Sequence, residues 1–251
     1  MLLVPGYVIG ILELLLFFVL TFYLRKIVPS FTKINCVAYY WVMITVLTGL
    51  WEASFIHNYK SISLYGRTLI ANNTHVWTNK YDLSYVMPNK LAYIFYAEYG
   101  AHADREYLSL TDNWSHSIEG SHAVFCALFA MLAFTFVRLN NYNNFLVTLS
   151  VSMGTQVMNS ILYMDNYFIQ TLDPNSPNYN SHDFPTGRFL GKRLFMWVNI
   201  FWMVMPTGTI LYLMINNKKK LNAFYKYYKY SSYDKLQNDD DDVEAYKPMI
   251  D

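Results

Sequence analysis

LLVPGYVIGILELLLFFVLTFYL, residues 2–24, is an apolar run that ends abruptly at Arg25-Lys26. About 20 residues rising 1.5 Å each cross a ~30 Å hydrocarbon core, so the run is long enough to form a transmembrane helix. A cleaved signal peptide would show a basic segment before the run and a small-residue cleavage site after it, and neither pattern is visible. The rest of the composition agrees. Of the 251 residues, 54% are hydrophobic, 18% aromatic and only 15% charged, where soluble domains carry about a quarter charged. A net charge of +1 gives no electrostatic reason to expect nucleic acid. The two cysteines, Cys36 and Cys126, lie in apolar runs far apart, which excludes a disulfide scaffold and a thiolate zinc site.

Four further runs follow. The second starts near Cys36 and continues through Trp51 to about Ile56 or beyond, the third covers about Ser117–Leu139, the fourth about Phe145–Phe168, and the fifth about Leu194–Ile215. The expected fold is therefore all-α, a polytopic membrane protein of about five transmembrane helices in a bundle. Residues 1–33 form the first helix and a basic loop, residues 34–216 a four-helix membrane domain, and residues 217–251 a Lys/Tyr-rich, then acidic tail. A long polar, Tyr-rich loop is expected over residues 58–116. Within it Leu91–Tyr99 reads as an interfacial or re-entrant helix too short to span. Asn140–Asn144 is a polar turn, and Gly154 and Gly208 read as close-packing positions.

Arg25, Lys26, Lys33, Arg138 and the tail lysines put the C-terminus on the cytosolic side, or its equivalent, with the N-terminus opposite. Asn72-Asn73-Thr74 and Asn113-Trp114-Ser115, on the opposing loops, fit the glycosylation triplet. The acidic tail, solvated by its composition, is a candidate contact for a homodimer or a larger membrane complex.

Several polar residues interrupt the runs at one depth. His57 lies near the outer end of the second run and Glu119 near the outer start of the third, with His122 one turn deeper on nearly the same face. The fourth run brings Thr155, Gln156, Asn159 and Tyr163, and the fifth brings Asn199 and Trp202. An ionisable residue in a spanning segment costs about 2.5–3.5 kcal/mol on insertion scales, so it faces a partner or a cavity. A layer of such groups suggests a chamber, although helix-to-helix hydrogen bonding at the headgroup boundary also accommodates them. Glu119-x-x-His122, with His116 one turn before, has the spacing of di-iron bundles, but a second such motif is absent and no metal or other cofactor is expected. There is no Gly-x-Ser-x-Gly elbow for a nucleophile and no glycine-rich loop for phosphate.

Five segments, taken in order, resemble the emopamil-binding protein family, the sterol Δ8-Δ7 isomerases and relatives with an EXPERA domain. They are Ser54-Phe55-Ile56-His57; Glu98-Tyr99-Gly100 with Asp104 and Tyr107; Asp112-Asn113-Trp114 leading to Glu119; Ser152-Met153-Gly154 with Ile161-Leu162-Tyr163; and Asn199-Ile200-Phe201-Trp202 with Pro206. The resemblance spans about Glu52 to Met214. It implies that His57 and Glu119 are an acid/base pair, that Trp202 faces a cationic intermediate, and that Asn199 orients Glu119 or the sterol. Asp104 and Tyr107 would close the polar mouth, with His122 also against the substrate. The implied partner is a sterol or another lipid in the bilayer, and the implied location is the endoplasmic reticulum, with the mitochondrial inner membrane as the alternative. The chain departs from the family pattern where Ser61 replaces a glutamate four residues after the histidine, and where His122 replaces a threonine. The first change argues against activity, because a serine hydroxyl cannot act as a proton carrier near neutral pH. A catalytically inactive sterol- or lipid-binding relative, or a structural subunit of a membrane complex, is the rival expectation.

Overall fold

The computed structural model describes residues 3–110, 114–179 and 198–215. Over these the chain is a helical membrane protein with helices α1 (Gly6–Ile27), α2 (Cys36–Asn72), α3 (Pro88–His102), α4 (Gly120–Arg138), α5 (Tyr142–Gln170) and α6 (Val198–Ile215). All except α3 are long and apolar enough to cross a membrane, α4 with the turn Trp114–Glu119 that precedes it. The described residues up to Thr209 form one compact unit; the second is described over Ile210–Ile215, the last turns of α6.

The runs expected from the sequence coincide with α1, α2, α4, α5 and α6. Asp112, Asn113 (the acceptor of the second triplet), residues 180–197 and the tail lie outside the described residues. The helix ends have identifiable caps. The Asn35 side chain accepts from the amides of Val37 and Ala38, and Asn141 accepts from Asn144. Asn73 ends α2 with a left-handed φ of 49°, a conformation asparagine tolerates.

The principal departure from the expected architecture is in α2. It has 37 residues, about 55 Å at the helical rise, and so outruns a ~30 Å hydrocarbon core. The first part of the loop expected at 58–116 is therefore helix as far as Asn72. The reason is packing. Phe55, Ile62 and Leu69, seven residues apart, are fully buried in a core shared with Leu91, Ala92, Ile94, Ala97 and Ala101 of α3. Each large apolar side chain buried in this way contributes about 1.5–3 kcal/mol where the alternative is water, which sustains a helix whose other face is polar. The segment Leu91–Tyr99 lies inside α3, which packs along this extension of α2.

Where α2 crosses α4, the contact is made by small residues. A Cβ placed on Gly49 would lie 2.2 Å from the Ala127 Cβ and 3.1 Å from the Ala123 carbonyl oxygen, so only glycine permits this approach. Among the described residues Gly154 and Gly208 are not such positions, contrary to the sequence reading: a Cβ there would meet none of them within 4 Å.

The N-terminal residues add a small antiparallel sheet to the all-helical plan. Strand β1 (Leu3–Pro5) pairs with β2 (Lys80–Asp82) in the register Leu3↔Asp82, Val4↔Tyr81, Pro5↔Lys80. The loop before β2 caps α1. The amides of Gly6 and Tyr7, orphan donors at a helix start, donate to the carbonyls of Asn79 and Trp77 at 2.9 and 3.1 Å.

At the other end of the bundle the two short basic turns meet. Lys33 Nζ donates to Asn140 Oδ1 at 2.9 Å, joining the α1–α2 connection to the α4–α5 turn. Arg25 Nη2 donates to the Ile34 carbonyl at 2.8 Å within the same region.

Candidate functional site

A cavity of about 450 Å³ opens between α2, α3, α4, α5 and α6, within the range of roughly 300–1,000 Å³ typical of small-molecule sites. Trp51 and Glu52 come from α2, and Phe95, Tyr96 and Tyr99 from α3, with Tyr107 from the turn after it. Glu119 enters at the head of α4, with His122 one turn on; Gln156, Asn159 and Tyr163 come from α5, and Asn199 and Trp202 from α6. The i, i+3 and i, i+4 spacings along α4, α5 and α6 align each group on one helical face. Glu119 closes a π-helical turn, Trp114–Glu119, which leads directly into α4.

The two carboxylates are held differently. Both oxygens of Glu119 accept from Asn159 Nδ2 at 3.1 Å, an arrangement suited to an acceptor-only carboxylate. Glu52 accepts from the Tyr96 hydroxyl at 2.5 Å through one oxygen, while its other oxygen is buried, has no hydrogen-bond partner among the described residues and is turned toward the start of α4. Glu52 and Glu119 line the same cavity, and the second oxygen of Glu52 lies 3.6 Å from where a Cβ on Gly120, the residue after Glu119, would sit.

An aromatic wall surrounds them. The rings of Tyr96 and Tyr107 stack at 5.8 Å with planes 8° apart, and Tyr99 meets Tyr107 edge-on at 4.9 Å. Burial, and then the nearby Glu52, push the phenols of Tyr96 and Tyr107 well above their ordinary range, so both remain neutral donors. Tyr99 is raised by burial and by Asp104. On the opposite wall Trp202 packs on the buried Trp41, ring centroids 4.8 Å apart.

Asp104 lies behind this wall rather than on it. Its carboxylate is buried and accepts from the Tyr163 hydroxyl and the Asn178 amide, both at 2.7 Å. Tyr163 in turn hydrogen-bonds Tyr99 at 2.7 Å, which fixes two cavity phenols through one buried acid.

Of the residues singled out from the sequence, Glu119, His122, Tyr107, Asn199 and Trp202 meet at the cavity, and Asp104 supports it. His57 is not brought there: it is exposed on α2 and lines no part of the cavity. Ser61, one turn further, is also exposed and hydrogen-bonds the Asn58 carbonyl. The α2 acid in the cavity is Glu52. In the sequence Glu52 can be weighed only as compensation for the glutamate missing at Ser61 and is set aside, because five residues before His57 it points elsewhere on a regular helix; that other direction is where the cavity lies.

Glu13, an ionisable residue inside the first apolar run, has no place in the sequence reading. It is buried in α1, with one oxygen accepting from Trp51 Nε1 at 3.0 Å and the other lacking a partner among the described residues. The metal spacing weighed for His116, Glu119 and His122 does not converge. His116 is half-buried against the Tyr59 ring at 3.8 Å, and His122 Nε2 contacts Cys126 Sγ at 3.2 Å.

No family model matches this sequence, and no curated protein and no solved structure shows significant similarity to it.

Proposed function

We propose that the chain is an emopamil-binding-protein-like membrane enzyme that shifts a sterol ring double bond from Δ8 to Δ7 by acid/base chemistry in this cavity. The observation that carries the reading is the pair Glu52 and Glu119, two carboxyl groups in one aromatic, largely apolar chamber between helices long and apolar enough to cross a membrane. Buried carboxyls in such a chamber share a proton and divide the roles of acid and base. Glu52, with an unpartnered oxygen, is the acid: its proton goes to C9 and leaves a cation at C8. Glu119, bound by the Asn159 amide on both oxygens, is the base: it takes the proton from C7, and the electrons of that bond close the new C7–C8 double bond. The cation between the two steps is stabilised by the faces of Trp202 and the tyrosines, an interaction of up to ~2 kcal/mol when desolvated. His57 has no role in this scheme, and the serine at position 61 removes nothing from it.

A second reading is supported by the same two positions. His57 and Ser61 face away from the cavity, where the family resemblance asks for a histidine and a glutamate, which favours a relative that binds a sterol or lipid without converting it. Conversion separates the two. Expression in isomerase-deficient cells is expected to restore Δ7 sterols, and Glu119→Gln is expected to lower the rate by about 10²–10⁴-fold, the usual contribution of general acid–base catalysis. Absence of Δ7 product with well-expressed protein, together with saturable sterol binding, establishes the binding reading instead. The endoplasmic reticulum is the proposed location, on the resemblance alone.

A further inference from the structure

We infer that His75, Glu98 and His102 form a zinc site, separate from the cavity, that ties the loop capping α1 to helix α3. The ligand atoms of these three side chains all lie within 4.8 Å of one another. Zinc bonds of about 2.0–2.2 Å place tetrahedral ligand atoms roughly 3.3 Å apart, so small side-chain rotations close the set around an ion. Two nitrogens and one carboxylate oxygen suit zinc and leave a fourth position for water.

The local structure positions each ligand. Glu98 and His102 are one turn apart on α3 and share a face. His75 follows the left-handed end of α2, two residues after Asn73, and its ring lies 4.1 Å from that of His102. Its Nδ1 contacts Glu98 Oε1 at 2.7 Å.

The supporting contacts have the form expected around a metal. The buried Glu98 has its other oxygen occupied by the Val76 amide at 2.9 Å, which aims Oε1 at the histidines. His102 Nε2 bonds the Thr74 carbonyl at 3.1 Å; donation there fixes the tautomer that leaves Nδ1 to ligate. His75 is exposed and His102 half-buried, so an ion has an entry path. Val76, Trp77 and Asn79 follow at once, and the latter two supply the carbonyls that cap α1.

The test uses the full chain, purified in detergent, stripped with a chelator and titrated with zinc alone. One equivalent per chain is expected, accompanied by a rise in Tm, with His116→Ala unchanged. His75→Ala, Glu98→Gln and His102→Ala are each expected to weaken zinc at least as much as loss of a supporting contact, about 10–100-fold. Where a variant does not fold, cobalt(II) added to the wild-type chain decides, with tetrahedral visible bands expected. Failure of the folded wild type to take up stoichiometric zinc, binding that survives all three substitutions, or a cobalt spectrum no different from the aqueous ion would overturn the site and leave a His75–Glu98 hydrogen-bonded clamp.

Discussion

Glu52 and His57 show how one helix decides between two candidate acids. Five residues at about 100° each separate them by roughly 140° around α2, so they cannot both face the same chamber. The family resemblance drew attention to the histidine, whereas the Tyr96 hydroxyl and the cavity select the glutamate. The partners on α4, α5 and α6 were legible because polar residues three or four apart in apolar runs already share a face. Glu52 was not, because nothing in the linear order says which side of α2 meets α3. The contrast gives two expected outcomes in membranes carrying the variants. Glu52→Gln lowers conversion to the same extent as Glu119→Gln, and His57→Ala leaves it within about twofold, since a surface substitution away from the site is normally near neutral. Initial rates at matched expression check both.

At the scale of elements, the spanning runs could be read because length alone identifies them. The upper part of α2 could not. Residues 58–72 carry Asn58, Lys60, Ser61 and Arg67, and a polar composition suggests a loop until Ile62, Leu69 and the facing residues of α3 are seen in one core. The small sheet was hidden for a related reason, since three-residue strands have no periodicity to detect. Two glycines set the spacing of these elements. Gly49→Ala drives a methyl onto Ala127 of α4, and Gly6→Ala puts one 2.2 Å from the Val76 carbonyl oxygen, neither of which yields by rotating a side chain. Each is expected to cost about 1–3 kcal/mol, the usual range for overpacking, seen as a lower thermal midpoint in detergent. Gly154→Ala, with open space around it, is expected to leave the midpoint unchanged or raise it slightly.

At the scale of the whole molecule, the described residues hold five helices long and apolar enough to cross a membrane, and the hydrogen bond between Lys33 and Asn140 gathers the basic turns at one end. The loop with His75 and the ends of α2 and α3 are at the other. An impermeant thiol reagent is therefore expected to label native Cys36, which is exposed, only from the cytosolic face. A Thr78→Cys reporter should be labelled only from the opposite face, and labelling of both from one side would refute this topology. The cavity lies toward the end away from the basic turns, bounded by α3 and the head of α4, where the proposed sterol substrate is expected to enter from the bilayer. The most direct measurement of its chemistry is conversion of a Δ8 sterol by membranes containing the chain in heavy water. Acid/base isomerisation between Glu52 and Glu119 predicts a Δ7 product carrying deuterium at C9, lost in either glutamine variant and retained in His57→Ala. A Δ7 product without solvent deuterium, or one formed undiminished by Glu119→Gln, would contradict it.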